Sequence, residues 1–270
     1  MKIKKLAAVV VLVGVAALVS SSIGFAAEPK KVFVGAGSAF KPYTYVDDKG
    51  QPAGYDVEVL KAVNKLLPQY EFVYQSLEFK NILVSLGSKK IDIGTQQFEE
   101  NEERRAKFLF SNEGFTVYNK YIVVRKGRTD IKSLDDLQGK SISVAQGSNS
   151  ALVIKKYNDA HPKTPIKIVY YQGGQYEAVV ASIASGQVDA TIQVKRVLDD
   201  WNRTYGNKLS LAFDVPASVS DTYFIFNKSD RKLRDDVDGA LKKLKASGEL
   251  SALSIQILGA DYTPEGNQEK

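Results

Sequence analysis

The chain has 270 residues, 44% apolar and 25% charged, an ordinary globular balance with length for two α/β lobes of roughly 100–150 residues each or one large domain. It contains no cysteine and one histidine, His161, which excludes a disulfide scaffold, a cysteine nucleophile, a zinc ribbon, a lipidated cysteine and a multi-histidine metal centre, and argues against a Ser-His-Asp triad. The formal charge of +6 falls to +3 once residues 1–26, which hold three lysines and no acid, are set aside, so charge gives no argument for nucleic acid.

Those first residues read as an export signal. Lys2, Lys4 and Lys5 precede an apolar or small-residue run over 6–19, and Gly24-Phe25-Ala26-Ala27 places small residues at −3 and −1 of a cut after Ala26. The run is shorter than the ~20 residues of a bilayer span. A soluble protein outside the cytoplasm is expected, and the missing lipidation cysteine points to the periplasm.

Beyond the signal, strands and helices alternate. A buried strand is expected over 31–35, then a helix over 56–67 with Val57, Leu60, Val63 and Leu67 on one face and Pro68 behind it. Strand 71–75, helix 79–87 and strand 91–95 follow, then a β-rich run at 121–124. Ser133 and Asp136 form a capping-box pattern for a short helix ended by Gly139. Strand 141–144, helix 150–157, strand 166–170, helix 176–185 and strand 190–193 come next. Helix 232–247 closes the series with Leu233, Val237, Leu241 and Leu244 on one face. Such alternation predicts parallel sheets covered on both sides.

One pattern occurs twice, 97 residues apart: Ser85-Leu86-Gly87-Ser88-Lys89-Lys90-Ile91-Asp92 and Ser182-Ile183-Ala184-Ser185-Gly186-Gln187-Val188-Asp189. Each reads as a helix end, a turn and a strand start, and each strand runs on to glutamine (Gln96 and Gln97, Gln193). Two similarly wound lobes are expected, and since ligands sit outside the carboxyl ends of strands in open α/β sheets, these glutamines should face a common cleft.

The ordered set of short motifs resembles the bacterial extracellular solute-binding proteins of family 3, the amino-acid receptors of ABC importers. Its carriers are Phe40-Lys41-Pro42-Tyr43, Gly54-Tyr55-Asp56-Val57-Glu58, Asp92 with Arg104 twelve residues on and Phe110-Ser111 after it, residues 130–140, Gln146-Gly147-Ser148-Asn149, Gly186-Gln187-Val188-Asp189-Ala190 and residues 240–250. Leu77-Glu78-Phe79, Gln96-Gln97 and Gly147-Ser148-Asn149 resemble the branch that binds cystine and other sulfur-containing or S-substituted amino acids. The resemblance implies a type II periplasmic-binding-protein fold: lobe 1 from 28–117 plus 219–270, lobe 2 from 118–218, and hinges near 116–121 and 215–220. It implies a monomeric receptor without cofactor or metal that hands a small amino-acid-like ligand to a membrane permease.

A free amino acid needs its carboxylate held by a guanidinium and backbone N–H donors. By the family motif Arg104 is that guanidinium, partnered across the cleft by the backbone N–H at Asn149 where a helix begins, so that ligand bridges Arg104 and the stretch Gly147, Ser148 and Asn149. Phe40 and Phe79 fall where the family sandwiches the ligand side chain, which suits aliphatic, thioether or disulfide groups. Gln97 and Glu99 occupy positions whose main chain often meets ligand. Glu99 is expected to point to solvent with Glu100, Glu102 and Glu103, since a charge run is usually a solvated face. The chain departs from the family at Val194, five residues after Asp189, where an aspartate typically binds the α-ammonium. A buried unpaired ammonium is costly, so the ligand's amine is acylated or absent, or is held by Gln193, Glu99 or a tyrosine.

Rival readings are weaker. Some relatives of this fold dehydrate prephenate-like acids, which needs a general acid, and Glu99 is the one candidate. Gly35-Ala36-Gly37 lacks the third glycine of a dinucleotide loop, since Phe40 stands there. A binding protein feeding a sensor kinase is a third possibility.

Overall fold

The computed structural model describes residues 28–266; the export signal expected at 1–26 lies outside them. Two α/β lobes are present, each wound around its own sheet. The first lobe's sheet has the strand order Tyr70–Leu77, Lys30–Gly37, Ile93–Phe98, Asp221–Asn227, Phe108–Phe110, and Thr116–Val117 also pairs with Asp221–Asn227. The second lobe's sheet runs Lys167–Tyr171, Ser141–Ala145, Ala190–Val194, Lys120–Arg125, Leu209–Leu211.

Alternation along Lys30–Gly37 sets the first core. Val32, Val34 and Ala36 are fully buried, and Val32 and Val34 pack in one cluster with residues of the helices Tyr55–Lys65, Arg231–Ala246 and Glu249–Leu258. On the opposite face Gly35 lets Ile91 approach: a Cβ there would stand 2.5 Å from the Ile91 Cδ1. The predicted stripe of Val57, Leu60, Val63 and Leu67 is buried throughout. In the second lobe, helix Asn149–Ala160 covers one sheet face through Ala151 and Ile154. Helices Tyr176–Ala184 and Lys195–Tyr205 cover the other with Val179, Val180, Ile183, Val197, Leu198 and Trp201.

The sheets are mixed, which corrects the expectation of parallel sheets. Lys30–Gly37, Tyr70–Leu77 and Ile93–Phe98 are parallel, as are Ser141–Ala145, Lys167–Tyr171 and Ala190–Val194. Asp221–Asn227 and Lys120–Arg125 run antiparallel to their neighbours. A parallel neighbour needs a helical crossover on the same sheet. These two strands instead arrive from the other lobe, so each enters at the end where the parallel strands finish. The two crossing segments lie side by side, with the Tyr118 N–H donating to the Ser220 carbonyl (2.7 Å) and the Lys120 N–H to the Ser218 carbonyl (2.9 Å).

The repeated turn folds the same way in both lobes. Lys89 and Gly186, the fifth residues of the two copies, both have positive φ, +58° and +79°. Each closing aspartate then caps the neighbouring strand: Asp92 accepts from the Phe33 N–H (2.7 Å) and Asp189 from the Ser141 N–H (2.8 Å). The capping box at 133–139 forms by half. Asp136 accepts from the Ser133 N–H and hydroxyl, but the helix is a single 3-10 turn, Asp135–Leu137. Helices Lys195–Tyr205 and Glu249–Leu258 and strand Asp221–Asn227 add to the elements read from the sequence.

Candidate ligand-binding cleft

The strand ends of both sheets open onto one cleft of about 970 Å³ of empty space, mouth included. Of the expected site residues, Phe40, Phe79, Gln97, Glu99, Arg104, Ser148, Asn149 and Gln193 all line it.

Arg104 is positioned by the short helix Glu102–Lys107, whose N-cap Asn101 accepts from the Arg104 N–H (2.9 Å). Its side chain turns inward and is buried. Nη1 donates to the Glu99 carbonyl (2.8 Å), and Nη2 reaches the other lobe to donate to the Gly147 carbonyl (2.9 Å). Two of the guanidinium's five N–H donors are thereby engaged. Burial lowers its pKa to about 10, with Glu99 and Glu103 acting in the opposite direction, so it is a cation at neutral pH. The guanidinium lies 5.2 Å from the Phe98 ring centre, and Phe98 stacks on Phe79 at 5.3 Å. Phe79 is therefore the outer member of a cation–ring–ring stack. Phe40 packs on Tyr43 and faces Tyr176 of the second lobe; the Tyr176 hydroxyl donates to the Ala39 carbonyl (2.5 Å).

The second lobe presents the start of helix Asn149–Ala160. Gly147 takes φ +77°, and the Ser148 hydroxyl caps the helix through the Ala151 N–H (3.2 Å). The N–H groups of Asn149 and Ser150, first in that helix, have no helical acceptor upstream. Gln193 donates from Nε2 to the Tyr171 hydroxyl (3.1 Å). Gln97 turns back into its own lobe, donating from Nε2 to the fully buried Asp56 (2.8 Å). Its amide also bonds with Thr116 and Thr222 of the paired strands Thr116–Val117 and Asp221–Asn227.

Two expected residues stand elsewhere, and one behaves otherwise than expected. Gly147 does not line the cleft; its carbonyl is taken by Arg104. Val194 is fully buried in the apolar core beside Val197 and Leu198, because it ends its strand and opens the next helix. Glu99 does not point to solvent. It is 5% exposed and forms an ion pair with Lys120 (2.7 Å), its second oxygen accepting from Ser220 (2.8 Å) and Asn149 (3.4 Å). The physical reason is Lys120: a buried cation at the crossing needs a carboxylate, so the first acid of the run is drawn inward while its neighbours remain outside. Lys120 also donates to the Ser150 hydroxyl (3.0 Å). Sequence reasoning misses Lys120, Tyr118, Tyr171 and Tyr176. The available signal for Lys120 was a single lysine opening the apolar run Tyr121-Ile122-Val123-Val124.

Two α/β lobes joined by paired crossings, with a buried guanidinium and aromatic walls between them, define a solute receptor of the hinged type. Residues 32–260 match the model of the bacterial extracellular solute-binding proteins, family 3, and the chain belongs to that family. It is 38% identical over 236 residues to the L-cystine-binding protein TcyJ of Bacillus subtilis, covering 87% of each chain. To TcyK of the same organism, also an L-cystine-binding protein, it is 38% identical over 234 residues, with 87% of this chain and 86% of TcyK covered. Among solved structures, one describing glutathione import through GshT and the cystine ABC importer TcyBC of Streptococcus mutans superposes with a TM-score of 0.79. That pair shares 31% identity over 87% of this chain and 98% of the other. The family is one of extracellular binding proteins, and membership sets the enzyme reading aside.

Proposed function

We propose that this protein captures an amino acid or amino-acid derivative, of the sulfur-containing kind, in the interlobe cleft and delivers it to the membrane permease of an ABC importer. The observation that carries this reading is Arg104, a buried cation at the meeting of two lobes with donors to spare. A ligand carboxylate takes those donors together with the N–H groups at Asn149 and Ser150, and both sets of contacts exist only when the cleft is shut. Lobes 28–117 plus 219–270 and 118–218 swing about 116–121 and 215–220, and a permease reads the closed shape. The cystine-binding relatives support a sulfur-containing side chain, and the rings of Phe40 and Phe79 suit one. The rest of the reading is a monomer without cofactor, no nucleic-acid partner, and export by the 1–26 signal to the periplasm.

A thermal-shift screen of amino acids, disulfide-linked amino acids and their N-acyl forms tests it. A ligand at a hundred times its Kd adds about 2.7 kcal/mol to the native state, a readily visible rise in melting temperature. If no carboxylate of this class moves the transition, the reading fails.

A further inference from the structure

We infer that the cleft selects N-acylated amino acids, because Lys120 supplies from within the protein the cation that a free amino acid would bring as its ammonium. The inference rests on the amino-acid-derivative reading above and narrows its substrate class.

The argument is a count of charges. The charged residues lining the cleft are Glu78, Lys80, Glu99, Arg104 and Lys120. Glu78 and Lys80 form an exposed ion pair with each other (3.1 Å), so they cancel at the mouth. In the buried part, Arg104 and Lys120 stand against Glu99 alone, leaving one positive charge. A monoanion neutralises it. A zwitterion does not, and it adds an ammonium that needs a carboxylate of its own.

Among the described residues, the cleft lining leaves no such carboxylate free for it. The Glu99 side chain is 6% exposed and that of Lys120 5%, and the Glu99 oxygens already accept from Lys120, Ser220 and Asn149. A ligand ammonium placed on Glu99 would sit beside Lys120 and near Arg104, like charges in a desolvated space. Asp56 lies behind Gln97 with no exposed surface. Tyr118 and Tyr171 cannot serve as anions: burial raises both phenols, Tyr171 to about 12. What the walls do offer is carboxamide. Gln96, Gln146, Gln172 and Gln193 line the cleft, and a neutral amide N–H and C=O pair with such groups without any counter-charge. An acylated nitrogen fits this wall; a protonated one does not.

Calorimetry and thermal shift on the chain decide the matter with matched pairs whose acetylated members are monoanions: L-methionine and N-acetyl-L-methionine, S-methyl-L-cysteine and N-acetyl-S-methyl-L-cysteine. In each pair that binds, the acetylated member should bind tighter by about tenfold or more. Equal affinity, or preference for the free amine, overturns this inference and leaves the importer-receptor reading standing. Silence from every compound overturns both. The Lys120→Met variant, checked for folding by circular dichroism, removes the internal cation. Its preference for the acetylated member should shrink by about tenfold, and an unchanged preference in a folded variant counts against the inference. If that variant does not fold, the wild-type pairs decide alone.

Discussion

In the first lobe the turn at 85–92 places Lys89 at φ +58° and closes with Asp92 on one backbone donor, the Phe33 N–H. In the second, the turn at 182–189 places Gly186 at φ +79°, and Asp189 closes on the Ser141 N–H (2.8 Å), the Ser141 hydroxyl (2.7 Å) and Arg128 (2.7 Å). The same local geometry is thus reached with a strained residue and one strand-cap bond in one lobe, and with a permissive residue and three bonds in the other. At the cleft the lobes differ in another way: the first carries Arg104 and Glu99, while the second carries Lys120 and the start of helix Asn149–Ala160. A repeated αβ unit fixes where strands end. What stands at those ends is free to differ, because the turn itself makes no demand on it.

The largest test of that contrast sets one cleft wall against the other. Arg104→Ala should weaken ligand binding by roughly 2–5 kcal/mol, the range for truncating one partner of a buried charge pair, whereas Ser148→Ala, which removes a helix cap, should cost about 1 kcal/mol of stability. Calorimetry and urea unfolding of both variants separate the effects, and similar losses of binding would erase the distinction. Next comes the pH dependence of stability. Burial pushes the Asp56 carboxyl up to about 6, against the pull of hydrogen bonds from Gln97 and Thr95. A folded pKa above the unfolded value means that the protonated form favours folding. About 3 kcal/mol of stability should therefore be lost as pH rises from about 4 through about 6. Asp189 carries the opposite sign. Desolvation acts upward on it, but the Ser141 and Arg128 hydrogen bonds outweigh this and hold its pKa below the ordinary value, so its contribution is lost as pH falls through that lowered pKa. Urea midpoints against pH should show the falling limb in the parent and its flattening in Asp56→Asn.

Smaller effects compare the turns directly. Asp189→Ala should cost about 2–3 kcal/mol of stability and Asp92→Ala about 1–2, reflecting the number of charge-assisted bonds removed. Equal costs in urea unfolding would show that the extra bonds to Asp189 are worth little. At the bottom of the scale, Lys89→Gly should raise stability by no more than about 1 kcal/mol, since relief at positive φ is partly offset by glycine's greater unfolded-state freedom. Gly186→Lys should lower it by about 1 kcal/mol. Differential scanning calorimetry of the swapped pair reads both.

Much of the fold was legible because it depends on short-range patterns. The stripe Val57, Leu60, Val63 and Leu67 is a property of a helix, wherever that helix packs, and it is buried as read. The repeated motif likewise contains its own turn chemistry. Strand direction was not legible: nothing within Lys120–Arg125 or Asp221–Asn227 shows that the chain reaches them from the other lobe. For the cleft, Arg104 could be singled out by its spacing from Asp92. The fate of Glu99 could not, because its local setting is an acidic run and its partner, Lys120, lies 21 residues on.

The order of residues by itself determined the alternation of strands and helices, the twin turns and the family, since each rests on contacts between near neighbours or on motifs written in sequence. Tertiary structure alone decided the charge of the cleft. Only when the crossing strands bring Lys120, Glu99 and Ser150 into one buried cluster, with Asn149 and Ser220 half-buried at its edge, does desolvation force these groups to pair, and that pairing leaves Arg104 as the uncompensated cation.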